Sequence, residues 1–112
     1  MQRYLISFDD GTMIFPEEDL QAVSDATHAV MREAQAAGVW VFGGGLHSQA
    51  ATIVNTDTSV VQGPYPETKA VLGGFCILEV PTHQDAVAWA TKFAVSCRCA
   101  QEVREIMFDP LV

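Results

Sequence analysis

The stretch Leu72-Gly73-Gly74-Phe75-Cys76-Ile77-Leu78-Glu79-Val80-Pro81-Thr82-His83-Gln84-Asp85-Ala86 joins two unlike patterns end to end. Leu72–Val80 is an apolar run of the kind that forms a strand. Pro81 has no N–H to give to a sheet ladder, so the strand stops there. Thr82 follows as a helix N-cap, with Asp85 three residues on in a capping-box arrangement. Beyond it Ala86, Trp89, Ala90 and Phe93 recur at helical spacing and predict a buried stripe.

The same order, strand then helix, opens the chain. Arg3–Phe8 reads as a strand with Tyr4, Ile6 and Phe8 on one face, broken by Asp9-Asp10-Gly11. A helix is expected from Pro16, with Glu17, Glu18 and Asp19 in its first turn, where carboxylates meet the positive end of the dipole. Leu20, Val23, Thr27, Val30, Met31 and Ala34 form its stripe, and Gly38 ends it. Val39–Phe42 begins an apolar strand that runs into Gly43-Gly44-Gly45. Ala51–Thr56 and Ser59–Gln62 read as a hairpin turning near Asp57-Thr58. Gly63-Pro64-Tyr65-Pro66 must be a loop. Glu102–Phe108 reads as the last strand. Two amphipathic helices and one sheet share a core only if both helices cover the same face. The expected architecture is therefore α+β: a ferredoxin-like split β-α-β with an extra hairpin between the third and fourth strands. The other sheet face then needs a cover, which a second copy packed face to face would supply, as in a dimeric α+β barrel.

At 112 residues the chain fits one domain, 1–112. Fourteen acidic against six basic side chains give a formal net charge of −8. Arg3, Arg32, Lys69, Lys92, Arg98 and Arg104 are scattered, which argues against nucleic acid and against an anionic membrane surface. The same balance disfavours an anionic substrate unless Lys69 or an arginine turns into a cleft. With 49% hydrophobic and 18% charged residues the chain is not a disordered acidic tail. Its slightly positive mean hydropathy suggests apolar area buried between subunits, so a homodimer is expected. No apolar stretch is long enough to span a bilayer, and Asp9-Asp10 arrives before any signal-peptide core, so a cytoplasmic location is expected.

Candidate chemistry is sparse. Cys76, Cys97 and Cys99 make an odd count with no disulfide framework and no tetrahedral metal set, and Cys76 reads as a small buried hydrophobe. No metal or redox cofactor is expected. Gly43-Gly44-Gly45 lacks the spacing of a dinucleotide loop and reads as a bulge or a close backbone approach. His47, at a strand end, and His28, about 110° from the centre of the helical stripe, are the candidate general bases. His83 reads as a surface residue. Asp9 and Asp10 read as turn residues or as a carboxylate partner for a histidine across a cleft. Trp40, Phe42, Tyr65 and Phe75 could wall that cleft. Glu67-Thr68-Lys69 set an acid, a hydroxyl and a base side by side as further candidate substrate contacts, or as a solvated loop with a local ion pair.

The segment Gln62-Gly63-Pro64-Tyr65-Pro66-Glu67-Thr68-Lys69, followed by Leu72-Gly73-Gly74-Phe75, resembles the DGPF-motif proteins of the YCII-related family. Their hallmark reads roughly DGPFAETKE and then LGGY or LGGF, and the similarity extends over nearly the whole chain. The resemblance implies a dimeric α+β barrel of ferredoxin-like subunits. It also implies a cleft with a His–Asp pair, His28 matching the helix-one histidine and Asp9 or Asp10 the aspartate that ends strand one. Some relatives are dehydrochlorinases of hydroxylated aromatic compounds. The chain departs from the hallmark at Gln62, Tyr65, Pro66 and Ala70, so any role of the motif aspartate as an acid is absent here. Two functions are expected from this: a small-molecule protein, with an acid/base enzyme for elimination or isomerisation as its catalytic form, or a non-catalytic ligand-sensing or regulatory module tied to a sigma factor. Catalysis requires a histidine and a carboxylate within reach of each other in an enclosed cleft; a binding module does not.

Overall fold

A computed structural model describes residues 1–47, 51–63 and 71–112. Strand β1 spans Gln2–Asp9 and helix α1 Leu20–Ala36; β2 spans Trp40–Gly45, β3 Thr52–Val54, β4 Val60–Gln62 and β5 Leu72–Val80; helix α2 spans His83–Cys97 and β6 Glu102–Glu105. The four long-range strands form one antiparallel sheet in the order β2-β5-β1-β6, and β3 and β4 pair separately as the extra hairpin. That order, with both helices on one face, is the ferredoxin-like α+β fold read from the sequence.

The register explains the core. Tyr4 lies opposite Leu78, Ile6 opposite Cys76 and Phe8 opposite Gly74, so these residues share one face. Tyr4, Ile6, Cys76, Leu78 and Val80 meet Ala34 of α1 and Ala86, Ala90 and Phe93 of α2 in a single cluster. Trp89, expected in the buried stripe of α2, is only partly buried and packs at its margin, with Lys92 Nζ 5.2 Å from its ring centroid. The cap at Thr82 forms as read: its hydroxyl accepts from the Asp85 N–H at 3.2 Å and donates to the Asp85 carboxylate at 2.9 Å. At the other end of α2, Arg98 turns left-handed (φ 57°) and its guanidinium reaches Asp19 at 2.7 Å, tying the end of α2 to the start of α1. Lys92 and Glu33 form a second ion pair between the helices.

Four expectations are corrected. The helix read from Pro16 is a 3-10 turn at Glu17–Asp19 followed by α1, and Leu20 is 59% exposed instead of joining the stripe. The hairpin strands are shorter than Ala51–Thr56 and Ser59–Gln62. The last strand ends at Glu105, not Phe108. Glu105 pairs with Tyr4 and the Ile106 N–H reaches the Arg3 carbonyl; beyond that the chain leaves the sheet, and Phe108 is 91% exposed. The fourth correction is Phe42. Trp40 and Phe42 are two residues apart and would share a face in a regular strand, but the register shifts between them. That bulge sends Trp40 to the core and Phe42 to the opposite face, where it is 63% exposed and its ring lies 6.0 Å from that of Phe75.

The face away from the helices carries Leu5, Phe42, Phe75 and Ile77, with the Arg3–Glu79 ion pair at 3.0 Å beside them. One sheet and one helical layer make the molecule 19 Å thick against 45 and 44 Å in the other directions.

Candidate functional site

The glycines of β2 and β5 shape a hollow between sheet and helices. A side chain on Gly43 would lie 2.6 Å from the Phe75 carbonyl oxygen and 2.7 Å from the Cys76 Cα, so β2 approaches β5 this closely only because Gly43 has none. Gly74 is bare for a similar reason, since its Cβ would meet the Phe8 ring at 2.6 Å. Gly44 and Gly45 face open space instead. The reading of the triple glycine as a close backbone approach therefore holds for Gly43, while Gly44 and Gly45 leave room.

That room is a cavity of about 320 Å³. Ile6 and Phe8 of β1, Trp40, Gly44 and Gly45 of β2, and Phe75 and Cys76 of β5 form its sheet side. Thr27, His28 and Met31 of α1 and Phe93 and Cys97 of α2 form its helical side, and Met13 and Gln101 border it from the loops. Among the described residues the lining includes no Asp, Glu, Lys or Arg. A larger groove of about 600 Å³ runs between the outer surfaces of α1 and α2, but it is an open trough remote from the sheet.

His28 borders the cavity but is exposed, further into solvent than the margin its helical angle implied. His47 is exposed beyond the end of β2 and does not border the cavity. His83 is exposed at the start of α2, its ring 5.9 Å from that of Tyr4. Asp9 ends β1 and its carbonyl accepts the Thr12 N–H and hydroxyl, as a turn residue does. The Asp10 N–H donates to the Val71 carbonyl at 2.6 Å. Among the described residues no histidine forms an ion pair with a carboxylate, so the structure does not bring His28 or His47 together with Asp9 or Asp10. Of the expected wall residues, Trp40 and Phe75 border the cavity and Phe42 does not; Tyr65, Glu67, Thr68 and Lys69 lie outside the described residues. Among the described residues no group of three or more His, Cys, Asp or Glu is placed to hold a metal ion.

Sequence reading missed Met13 and Gln101, which sit in loops without periodicity, and Cys97 as a cavity residue. The Thr27 hydroxyl and the Cys97 thiol lie 3.5 Å apart, a contact between helices that no local pattern announces. Cys99 receives the Gln101 amide at 3.5 Å. Burial pushes the Cys76 thiol from 9.0 up to about 12, with the neighbouring Cys97 thiol adding in the same sense. Cys76 is thus a neutral, polarisable wall atom at physiological pH and not a nucleophile.

A pH dependence of stability follows. Between pH 9.0 and about 12 the folded chain holds the Cys76 proton that the unfolded chain releases. The stability is complete below pH 9 and falls as pH rises toward 12. Tyr4, whose hydroxyl is pushed up by burial and by the Glu105 and Asp85 charges, adds to the same trend. Urea midpoints measured from pH 8 to 10.5 are expected to decline, and Cys76→Ala is expected to flatten that decline. An equal slope in the variant would contradict the burial of this thiol.

The fold has a counterpart among solved structures. Over 96% of its length the chain is similar to 95% of a solved structure of 5-chloro-2-hydroxyhydroquinone dehydrochlorinase from Burkholderia phenoliruptrix AC1100 in complex with 2,5-dihydroxybenzoquinone, with a TM-score of 0.52 and 17% identity. At that identity the likeness is one of fold. No curated protein matches the chain. A family model for the YCII-related domain matches residues 3–107, from the first strand to just past the last, and the chain therefore belongs to the YCII-related family.

Proposed function

We propose that this protein binds a small, uncharged, hydroxylated aromatic compound in the cavity between sheet and helices. The observation that carries the reading is the lining itself: three aromatic rings, Phe8, Trp40 and Phe93, with no carboxylate, ammonium or guanidinium among the described residues that line it. Placing a carboxylate or phosphate in such a space without a counter-charge would cost several kcal/mol, roughly. Thr27, His28 and Gln101 supply the few polar groups that would orient a hydroxyl. The solved dehydrochlorinase holds a hydroxylated six-membered ring, 2,5-dihydroxybenzoquinone. Calorimetric titration with phenol and with benzoate tests the reading: phenol is expected to bind one to one and benzoate not. Equal binding of the two would overturn it.

Proton transfer is the finer reading. Among the described residues His28 is the imidazole on the cavity wall, placed to take a proton from a bound hydroxyl or ring carbon. His28→Ala would then keep ligand binding and lose turnover.

We further propose a homodimer built on the free sheet face. Leu5, Phe42, Phe75 and Ile77 give that face an apolar centre, and the Arg3–Glu79 and Arg104–Glu102 pairs give it a charged margin. Phe42→Glu is expected to yield monomers in sedimentation analysis where the unmodified chain gives dimers. A chain that is monomeric before substitution would contradict this.

A further inference from the structure

A second, smaller cavity of about 190 Å³ adjoins the first, lined by Met13, Phe15, Leu20, Val23, Ser24, Thr27 and His28. Three of these residues, Met13, Thr27 and His28, also line the main cavity. Thr27 and His28 are neighbours on α1, and Thr27 is engaged with Cys97 on the main-cavity side. Met13 comes instead from the segment between β1 and the 3-10 turn. That segment is pinned at its start: Thr12 bonds the Asp9 carbonyl through both N–H and hydroxyl, and the Asp10 N–H holds the Val71 carbonyl. With its backbone held there, the adaptable part of the partition is the Met13 side chain, an unbranched thioether with three rotatable bonds.

We infer that the small cavity is a side chamber of the binding site and that Met13 is its specificity-determining residue. The ring of the ligand occupies the main cavity, and an uncharged apolar substituent passes Met13 into the space bounded by Phe15, Leu20 and Val23. Among the described residues the chamber is lined by no Asp, Glu, Lys or Arg, and Ser24 and Thr27 bring its hydroxyls, so it selects alkyl or aryl substituents over ionised ones. This rests on the proposed binding of an aromatic compound in the main cavity and adds the shape of that compound: a ring bearing a compact apolar arm.

The test uses the full chain and calorimetric titration with phenol, para-tert-butylphenol and para-phenylphenol. The unmodified protein is expected to hold para-tert-butylphenol about tenfold or more tighter than phenol, the discrimination an apolar pocket gives for added methyl groups. Leu20→Trp, at an exposed position that lines the side chamber and not the main cavity, is expected to cut that preference to about threefold or less and leave phenol unchanged. Met13→Ala, which opens the partition, is expected to raise the preference for para-phenylphenol over phenol by about tenfold. Preferences that stay at the original ratio in both variants, with phenol still binding, would overturn the side chamber alone. Failure of phenol to bind the unmodified chain would overturn the main-cavity reading, and the side chamber with it.

Discussion

Gly43→Ala is expected to destabilise the fold by about 3 kcal/mol, at the upper end of what overpacking costs. The new methyl would sit 2.6 Å from the Phe75 carbonyl oxygen and 2.7 Å from both the Cα and Cβ of Cys76. Two of these are backbone atoms of the central strand β5, which is hydrogen-bonded on both sides and cannot yield as a flexible side chain would. The strands must part, and Trp40, which β2 delivers into the core beside Phe93 at 6.4 Å between ring centroids, is drawn out with them. The entropy gained by replacing glycine offsets only about 0.5–1 kcal/mol. Thermal melts followed by circular dichroism are expected to shift down by about 12 °C or more, at about 4 °C per kcal/mol for a chain of this size. Gly44→Ala is the control, since nothing lies within 4 Å of a Cβ there. Equal melting of the two variants would contradict the close approach.

Gly45→Leu is expected to do the reverse: spare the fold and close the site. Gly45 borders the cavity, faces open space and has no left-handed backbone. A Cβ there has nothing within 4 Å and the rest of a leucine can extend into the cavity, so stability is expected to stay level or rise by up to about 1 kcal/mol, because a strand glycine is itself unfavourable. The branched side chain takes space that the ligand ring needs. Displacing it or binding around it costs about 1–3 kcal/mol, a loss of about tenfold to a hundredfold in phenol affinity. Calorimetry on the variant, with its melting temperature measured beside it, separates a filled site from a damaged fold. Undiminished affinity would place the ligand elsewhere.

The contrast between these two glycines shows where sequence reading succeeds and where it stops. Thr82 and Asp85 carry their own signal, because a cap is made within one turn of chain. Tyr4 and Ile6 alternate in a way that fixes their face, and the position of His28 at the edge of its stripe was visible from helical angles alone. Gly43, Gly44 and Gly45 look identical in one dimension, and only the register of β2 on β5 separates a tight crossing from an open wall. The bulge after Trp40 reverses the side that Phe42 faces, and no residue type marks it. The overrun of the last strand past Glu105 has the same origin: where β6 ends depends on its pairing with β1, far away in the chain. Met13 and Gln101 reach the cavity from loops, where no period predicts a direction. The pairing of a histidine with Asp9 or Asp10, implied by family resemblance, is a long-range geometry of the same kind, and among the described residues it is not formed.

The measurement that bears most directly on the cavity as the binding site is a phenol titration of the isotopically labelled chain followed by amide chemical shifts. Gly44 and Gly45 of β2, Thr27 and His28 of α1 and Gln101 are expected to shift together along one saturating curve, while Ala22, Ala29 and Val95 on the outer helical groove stay in place. Shifts confined to the outer groove, or scattered without saturation, would contradict the account.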